Sequence, residues 1–219
     1  MENEIILIDK PEGITSFGVV ARVRRVLSEK AGKKVKVGHT GTLDPFATGL
    51  LILLAGKATK RSNEFLKLDK EYVAEIRLGE TSTTGDPEGE IQKSCSGEAP
   101  DFEEVKKVVQ SFVGEIWQKV PAFSAVKVEG RRAYEMARKG LPVETPTRKV
   151  NIYNIEILEY RWPVLKIRTE VSSGTYIRTL GEDIGKKLGT GAYLTALRRT
   201  RIDKYTVDEG ISLEEFMKN

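Results

Sequence analysis

The sequence predicts an α+β fold in which helices flank a mixed, largely antiparallel central sheet. Three segments, 71–78, 150–160 and 164–172, alternate apolar and polar residues as half-buried strands do. Residues 49–55 (GLLILLA) form an unbroken apolar run, which indicates a strand buried on both faces. The predicted helices fall at irregular intervals between the strands. This order favours α+β over a doubly wound parallel sheet.

The remaining elements follow from helix caps, apolar spacing and turn residues. Thr15 and Ser16 precede a segment whose apolar residues recur at spacings of three and four, which predicts a capped helix. Asp101 is placed to cap a second amphipathic helix over 102–113. Trp162-Pro163 separates two alternating strands and predicts a hairpin or meander. Other predicted strands span 4–9, 116–119 and 122–128; other predicted helices span 57–68, 130–139, 175–188 and 211–217; 192–205 is predicted as mixed strand and turn.

Composition limits the classes of protein and of site. The 219 residues carry 36 Lys and Arg against 32 Asp and Glu, and 39% are hydrophobic, as in a globular chain. A single cysteine, Cys95, and a single histidine, His39, exclude an intramolecular disulfide and a zinc site of these residue types. We expect no catalytic role for Cys95. The N-terminus has no basic and no long apolar region, so we expect no signal peptide, no membrane partner and a cytoplasmic location. Without heptad repeats, a monomer is expected.

The charges are unevenly distributed along the chain. Residues 1–70 and 119–204 are net basic, whereas 71–118 and 205–219 are net acidic. A molecule with a positive face suits a polyanion such as RNA. The alternative is a well-solvated surface rich in ion pairs.

The most informative segment is 38–50, GHTGTLDPFATGL, which runs directly into the apolar strand. It concentrates glycine, threonine, Asp44 and His39 in thirteen positions. A carboxylate on a glycine-rich loop at the edge of a buried strand is well placed for chemistry. The alternative is that Asp44 only opens an Asp-Pro turn and that His39 is a structural residue.

Residues 38–51 (GHTGTLDPFATGLL) closely resemble the catalytic motif of the TruB family of tRNA pseudouridine synthases. Other stretches resemble further family elements in the same order. These stretches are 9–16 (DKPEGITS), 70–72 with 78–79 and the 81–89 turn, 173–180 (SGTYIRTL) with 183–185, and 189–199. The resemblance extends from about residue 5 to about residue 205, and implies the pseudouridine synthase catalytic fold.

The resemblance implies roles for three catalytic residues. Asp44 is the catalytic aspartate, either as a nucleophile or as the base that triggers a glycal-type path. Arg178 is the guanidinium that offsets desolvation of this carboxylate. Tyr72 lies against the uracil ring, and its hydroxyl serves the proton transfer at C5. Read without the family, Arg178 is a surface or phosphate-facing arginine and Tyr72 a half-buried strand residue.

The same resemblance implies the substrate-binding residues. Tyr176 and Leu197 complete the uracil pocket with Tyr72, although Leu197 read alone is a core leucine. His39 contacts the RNA near the extruded base and helps to fill the space that the base leaves. Lys10 and Pro11 support the catalytic loop from below. Exposed phosphate contacts are expected from the basic pairs Arg131-Arg132, Arg138-Lys139, Lys186-Lys187 and Arg198-Arg199, with Arg201.

The reaction implied is isomerisation of the T-loop uridine of tRNA, conventionally numbered 55, with base flipping. Since it involves no redox or phosphoryl-transfer step, we expect no cofactor and no metal, and the sequence has no P-loop or dinucleotide fingerprint. The expected partner is the T-arm stem-loop of tRNA rather than DNA. The alternatives are a pseudouridine synthase for another RNA, an RNA-binding tRNA-folding chaperone, and a generic basic interaction domain.

The predicted domain organisation is a catalytic domain over 1–206 and a short C-terminal tail over 207–219. Members of the family usually carry a further RNA-binding module, commonly a PUA domain. No such glycine-rich β-module follows residue 206 in this sequence. We therefore expect the module to be absent or truncated, with a weaker grip on the acceptor-stem side of tRNA.

Overall fold

A computed structural model describes residues 4–94, 99–128 and 130–218. The prediction for Cys95 lies outside the described residues. The chain divides into two compact units, Met1–Val73 with Leu197–Asn219, and Ala74–Ala196. Helices accompany strands that are mostly paired in antiparallel fashion, so the α+β prediction is confirmed.

The helices and strands are numbered in chain order. The strands are β1 (Ile5–Lys10), β2 (Val37–His39), β3 (Thr48–Ala55), β4 (Lys70–Leu78), β5 (Glu80–Ser82), β6 (Ile91–Lys93), β7 (Gly114–Lys119), β8 (Lys127–Val128), β9 (Arg131–Arg132), β10 (Thr147–Arg161), β11 (Val164–Val171), β12 (Ala192–Ile202), β13 (Tyr205–Thr206) and β14 (Ile211–Ser212). The helices are α1 (Ser16–Ala31), α2 (Ser62–Leu66), α3 (Phe102–Gln110), α4 (Ala133–Ala137), α5 (Ile177–Lys187) and α6 (Leu213–Lys218), with 3₁₀ turns at Gly56–Arg61 and Val207–Glu209.

The first unit is built around β3. Its strand order is β14-β1-β3-β12, with β1 antiparallel to β3, and with β12 parallel to β3 at Arg198 and Arg199. Leu51 and Leu53 pack with α1 on one face of β3, whereas Leu50 and Ile52 pack with Phe65 on the other. Both faces of β3 are buried, as the unbroken apolar run predicts.

Local signals position α1 against this strand. The Thr15 hydroxyl accepts a hydrogen bond from the Gly18 amide at 2.9 Å, and Gly32 closes the helix in the left-handed conformation. Leu213 of α6 joins the same core cluster, so part of the acidic C-terminal segment is packed. The capped helix predicted after Thr15 is confirmed.

The second unit contains the order β11-β10-β7, with β10 antiparallel to both neighbours. The hairpin predicted around Trp162-Pro163 is therefore confirmed. Helix α3 begins behind Asp101, whose carboxylate accepts a hydrogen bond from the Glu104 amide at 2.8 Å. Val105 and Val109 of α3 are fully buried, as are Ile152, Ile167, Leu180 and Ile184 of this unit.

Several predicted elements differ from the structure. The helix predicted over 57–68 is a 3₁₀ turn followed by α2, because only Ala58 and Phe65 supply buried anchors. Residues 192–202 form one strand, β12. The segments 122–128 and 130–139 contain only the short β8, β9 and α4. No helix among the described residues is long and apolar enough to cross a membrane.

Candidate active site

Asp44 lies in the first unit, on the loop between β2 and β3. Its carbonyl accepts a hydrogen bond from the Ala47 amide at 3.1 Å, which closes a turn with Pro45 at the second position. Leu43 and Phe46 flank it and are buried, so the turn is anchored on both sides. The prediction of a turn at Asp44 is therefore confirmed for its backbone, and its side chain is half-buried.

The N-terminal motif holds this loop. Lys10 is fully buried, and its Nζ donates to the carbonyls of Pro11 and Ile14 at 2.8 Å and of Pro45 at 3.2 Å. The Gly13 amide donates to the same Pro45 carbonyl at 2.9 Å. The structure thus gives Lys10 the supporting role that the resemblance implied.

A serine of the same motif binds the other side of Asp44. The Ser16 hydroxyl donates to the Leu43 carbonyl and accepts from the Leu43 amide, both at 2.8 Å. Ser16 is buried, so these bonds are protected from water. Residues immediately before and after Asp44 are therefore both fixed by the segment that ends β1 and begins α1.

Two adjacent arginines of β12 complete the support. Arg198 makes a bidentate pair with Asp9 at 2.8 and 3.1 Å. Arg199 is 1% exposed and donates to the carbonyls of Leu50 at 2.7 Å and Gly41 at 3.2 Å. A Cβ at Gly49 would lie 2.3 Å from the Arg199 carbonyl oxygen, so only glycine fits there. The predicted phosphate contact is wrong for Arg199, because the loop covers it.

His39 lies on β2 at the start of the loop. Its Nδ1 accepts a hydrogen bond from the Gly41 amide at 3.4 Å. Burial lowers the pKa of His39, and the positive charge of Arg199 lowers it further. The imidazole is therefore neutral at pH 7, which agrees with a contact role and argues against an imidazolium acid.

Tyr72 and Leu197 also lie in the first unit, on β4 and β12. Both are 8% exposed. Among the described residues, none forms a hydrogen bond with the Tyr72 hydroxyl. Two positions before Tyr72, Lys70 donates hydrogen bonds to the carbonyls of Leu66 and Leu68. Burial lowers the pKa of Lys70 to about 8, and the positive charge of Arg199 is the second cause. Lys70 thus anchors the start of β4, two positions before Tyr72.

Arg178 lies in the second unit, on the first turn of α5, and is 5% exposed. Its Nη1 donates to the Thr84 carbonyl at 2.9 Å and to a carboxylate oxygen of Asp86 at 3.1 Å. Its Nη2 donates to the Phe123 carbonyl at 2.9 Å. Arg178 is therefore not the surface arginine of the alternative interpretation.

Asp86 is the charged residue that the sequence reasoning missed. It is 2% exposed and also accepts hydrogen bonds from the Thr84 hydroxyl and the Glu88 amide. The only sequence signal is its position in the 81–89 turn, which resembles a family element. Burial raises the pKa of Glu182, one helical turn after Arg178, and the positive charge of Arg178 opposes that shift.

Tyr176 precedes α5 and is held by a second residue that the sequence did not reveal. Gln118 on β7 is fully buried, accepts from the Tyr176 amide at 2.7 Å and donates to the Tyr176 carbonyl at 3.0 Å. The oxygen and the nitrogen of the Gln118 side chain thus both bind the main chain of Tyr176. The proposed site residues are distributed as Asp44, His39, Tyr72 and Leu197 in the first unit, and Tyr176 and Arg178 in the second.

Two family models match the chain. The model for the N-terminal domain of TruB family pseudouridylate synthases matches residues 24–177. The model for the C-terminal domain of tRNA pseudouridylate synthase B matches residues 178–219.

Individual relatives and solved structures agree with the models. A tRNA pseudouridine synthase B of Parabacteroides distasonis is 51% identical, with 97% of this chain and 91% of the relative covered. That of Aquifex aeolicus is 46% identical, with 98% and 73% covered. A chain in the Cbf5-Nop10-Gar1 complex has a TM-score of 0.73 and 33% identity, and this chain covers 53% of its length. By model, relatives and fold, the chain belongs to the TruB family of pseudouridylate synthases.

Proposed function

We propose that this protein isomerises the T-loop uridine at position 55 of tRNA to pseudouridine, without a cofactor. The observation that carries the proposal is the turn at Asp44, which the main chain fixes on both sides while its carboxylate stays half-buried. The relatives named tRNA pseudouridine synthase B support the substrate class. The T-loop position rests on the resemblance of the 38–51 motif.

In the proposed reaction, Asp44 supplies the carboxylate that triggers cleavage of the N1–C1′ bond. The uracil turns, C5 forms the new bond to C1′, the hydrogen leaves C5, and N1 gains a proton. The reaction is therefore an isomerisation that consumes nothing. Tyr72 stacks on the uracil, and its hydroxyl, which has no described hydrogen-bond partner, serves the proton transfer at C5.

The other site residues bind and orient the nucleotide. The guanidinium of Arg178 favours ionised Asp44. Tyr176 and Leu197 line the uracil pocket. His39, neutral at pH 7, contacts the RNA where the extruded base leaves the stack. These assignments make Asp44, Tyr72 and Arg178 the catalytic residues, with His39, Tyr176 and Leu197 as binding residues.

The proposed partner is the T-arm stem-loop, bound by a monomer in the cytoplasm. Arg131, Arg132, Arg138 and Lys139 are exposed, as are Lys186 and Lys187. Arg132 and Arg138 both lie within 6.0 Å of the Tyr134 ring, which orients two of these cations. Such groups suit phosphates of a folded RNA.

The test is a pseudouridine assay on unmodified tRNA transcript, with the product position mapped by chemical labelling and primer extension. Asp44→Asn should abolish turnover and leave tRNA affinity nearly unchanged, because it alters one carboxylate without adding bulk. Asp208→Asn, which changes an exposed carboxylate of the same unit, is the matched control and should retain full activity.

Product at the T-loop uridine with the wild type alone, and none with Asp44→Asn, supports the reaction, the position and the residue together. Product at another position, or only on another RNA, would contradict the substrate assignment. Tight tRNA binding and refolding of misfolded tRNA without any product would favour the chaperone alternative. Equal turnover by Asp44→Asn would overturn the catalytic assignment.

A further inference from the structure

Arg148 lies in the second unit beside a proposed uracil-binding residue. It is on β10, directly opposite Gln118 of β7 in the antiparallel register. Paired residues of neighbouring strands present side chains to the same face. While Gln118 holds the Tyr176 backbone, the guanidinium carbon of Arg148 lies 5.5 Å from the centre of the Tyr176 ring. Gln118 of β7 thus binds the main chain of Tyr176, and Arg148 of β10 contacts its ring.

The guanidinium of Arg148 has unused hydrogen-bond donors. Among the described residues, none accepts a hydrogen bond from it and none forms an ion pair with it. By contrast, Arg178, Arg198 and Arg199 each donate to carbonyls or carboxylates. Arg148 is only half-buried, so its donors can meet water or a ligand. Stacking on a ring uses the face of a guanidinium and leaves its edge donors available.

Gly174 defines the space around this guanidinium. It has a φ of +86°, and a Cβ there would lie 2.9 Å from Nη1 of Arg148. Gly174 is itself exposed, so the contact opens to solvent. The positive φ favours glycine in the turn before Tyr176, and a side chain there would also displace the tip of Arg148. The backbone conformation thus accounts for the glycine of the SGTY motif.

We propose that Arg148 binds a phosphodiester of the extruded nucleotide, immediately 5′ or 3′ of the target uridine. The inference rests on the proposed function, since it requires an RNA substrate whose uracil lies at Tyr176. Guanidinium donors match phosphate oxygens in charge and in bidentate geometry. Because Arg148 contacts the same tyrosine, binding of the backbone and seating of the base would occur together. Arg148 is then a substrate-binding residue and takes no part in the bond changes.

The test uses single-turnover rates on a T-arm stem-loop RNA and on two variants of it. Each variant carries one uncharged methylphosphonate, either 5′ or 3′ of the target uridine. Arg148→Gln should slow the reaction of the all-phosphate RNA about 10- to 100-fold, the range of a hydrogen-bonded charge contact. One methylphosphonate should slow the wild type by a similar factor. On that RNA, Arg148→Gln should cause no further loss, and Arg148→Lys should keep part of the activity on the all-phosphate RNA.

The matched control is Arg168→Gln. Arg168 lies on the neighbouring strand β11, and its guanidinium forms an ion pair with Glu156. This variant should leave all three rates unchanged. If the rate losses from Arg148→Gln and from the methylphosphonate multiply when the two are combined, the proposal is overturned. Arg148 would then be a structural support of Tyr176. Normal wild-type rates on both methylphosphonate RNAs would overturn the proposal without any variant. Absence of product from the wild type on the all-phosphate RNA would instead overturn the proposed function, and this inference with it.

Discussion

The loop around Asp44 is held through the main chain on either side of it, whereas Arg178 is held through its own side chain. Lys10, Gly13 and Ser16 bind the carbonyls and amide of Leu43 and Pro45, and none of these bonds uses the Asp44 carboxylate. Arg178 instead donates to three groups from the turn at 84–86 and from Phe123. The residues on either side of Asp44 are fixed through their main chain, whereas Arg178 is fixed through its guanidinium.

Substitutions at the two residues should therefore have different effects. At Asp44, replacing the carboxylate leaves in place the bonds that Lys10, Gly13 and Ser16 make to Leu43 and Pro45. At Arg178 the cation and the local fold depend on each other, because a buried charge without its partner is costly. Substitutions of supporting residues should therefore affect stability most in the second unit and activity most selectively in the first.

The largest effect on stability is expected from Asp86→Asn. It removes the carboxylate of a pair whose side chains are 6% and 3% exposed, and leaves the Arg178 cation buried. Loss of one partner of such a pair costs about 3 kcal/mol of the free energy of unfolding. Urea unfolding should show this as a lower midpoint, and pseudouridine formation should fall with it because Arg178 loses a fixed acceptor.

Glu156→Gln is the matched control for Asp86→Asn. Its partner Arg168 lies on the neighbouring strand of the same unit, but the two side chains are 52% and 46% exposed. Exposed pairs contribute about 0.5 kcal/mol or less, so the midpoint should hardly move. Equal shifts for the two variants would show that the Asp86 contact contributes no more than a surface pair.

The next effect in size is expected from Lys10→Met. The methionine fills similar volume but removes the Lys10 donor from the carbonyls of Pro11 and Ile14, and leaves the Pro45 carbonyl with the Gly13 amide alone. The loss should be about 2 kcal/mol of the free energy of unfolding. Turnover should fall further than tRNA affinity, because the misplaced group is the turn at Asp44. Exposed Lys57→Met is the control, and a fall in affinity equal to that in turnover would contradict this account.

The two regions also differ in how far the sequence alone predicts them. Three elements of the first unit are each formed by consecutive residues: the strand at 49–55, the capped helix after Thr15 and the loop at Asp44. Apolar runs and turn residues therefore predict them. The support of that loop comes largely from the nearby 9–16 segment, which the family resemblance had already marked. Arg199 is the exception, because a pair of arginines in a strand is indistinguishable from an exposed basic patch.

The surroundings of Arg178 could not be predicted in this way. Its carboxylate partner Asp86 is 92 positions earlier in the chain, and its Phe123 acceptor is 55 positions earlier. Gln118 reaches Tyr176 across 58 positions. No periodicity connects such residues, since only the tertiary fold brings them together. Motif residues alone therefore predicted the site residues, while the residues that hold Arg178 and Tyr176 could be found only from the structure.

The smallest expected effect concerns His39 and depends on pH. Burial and, secondarily, the charge of Arg199 lower its pKa in the folded protein below the ordinary value of 6.5. Between these two pKa values the unfolded chain binds more protons than the folded one. The contribution to stability is therefore fully present above about pH 6.5, and is lost as the pH falls towards the folded-state pKa.

Urea unfolding of the wild type and of His39→Gln between pH 7.5 and 5 measures this contribution. Glutamine keeps an acceptor for the Gly41 amide but cannot titrate, so its stability should fall less steeply below pH 6.5. Parallel curves for the two proteins would show that His39 protonates as readily in the folded loop as in the unfolded chain.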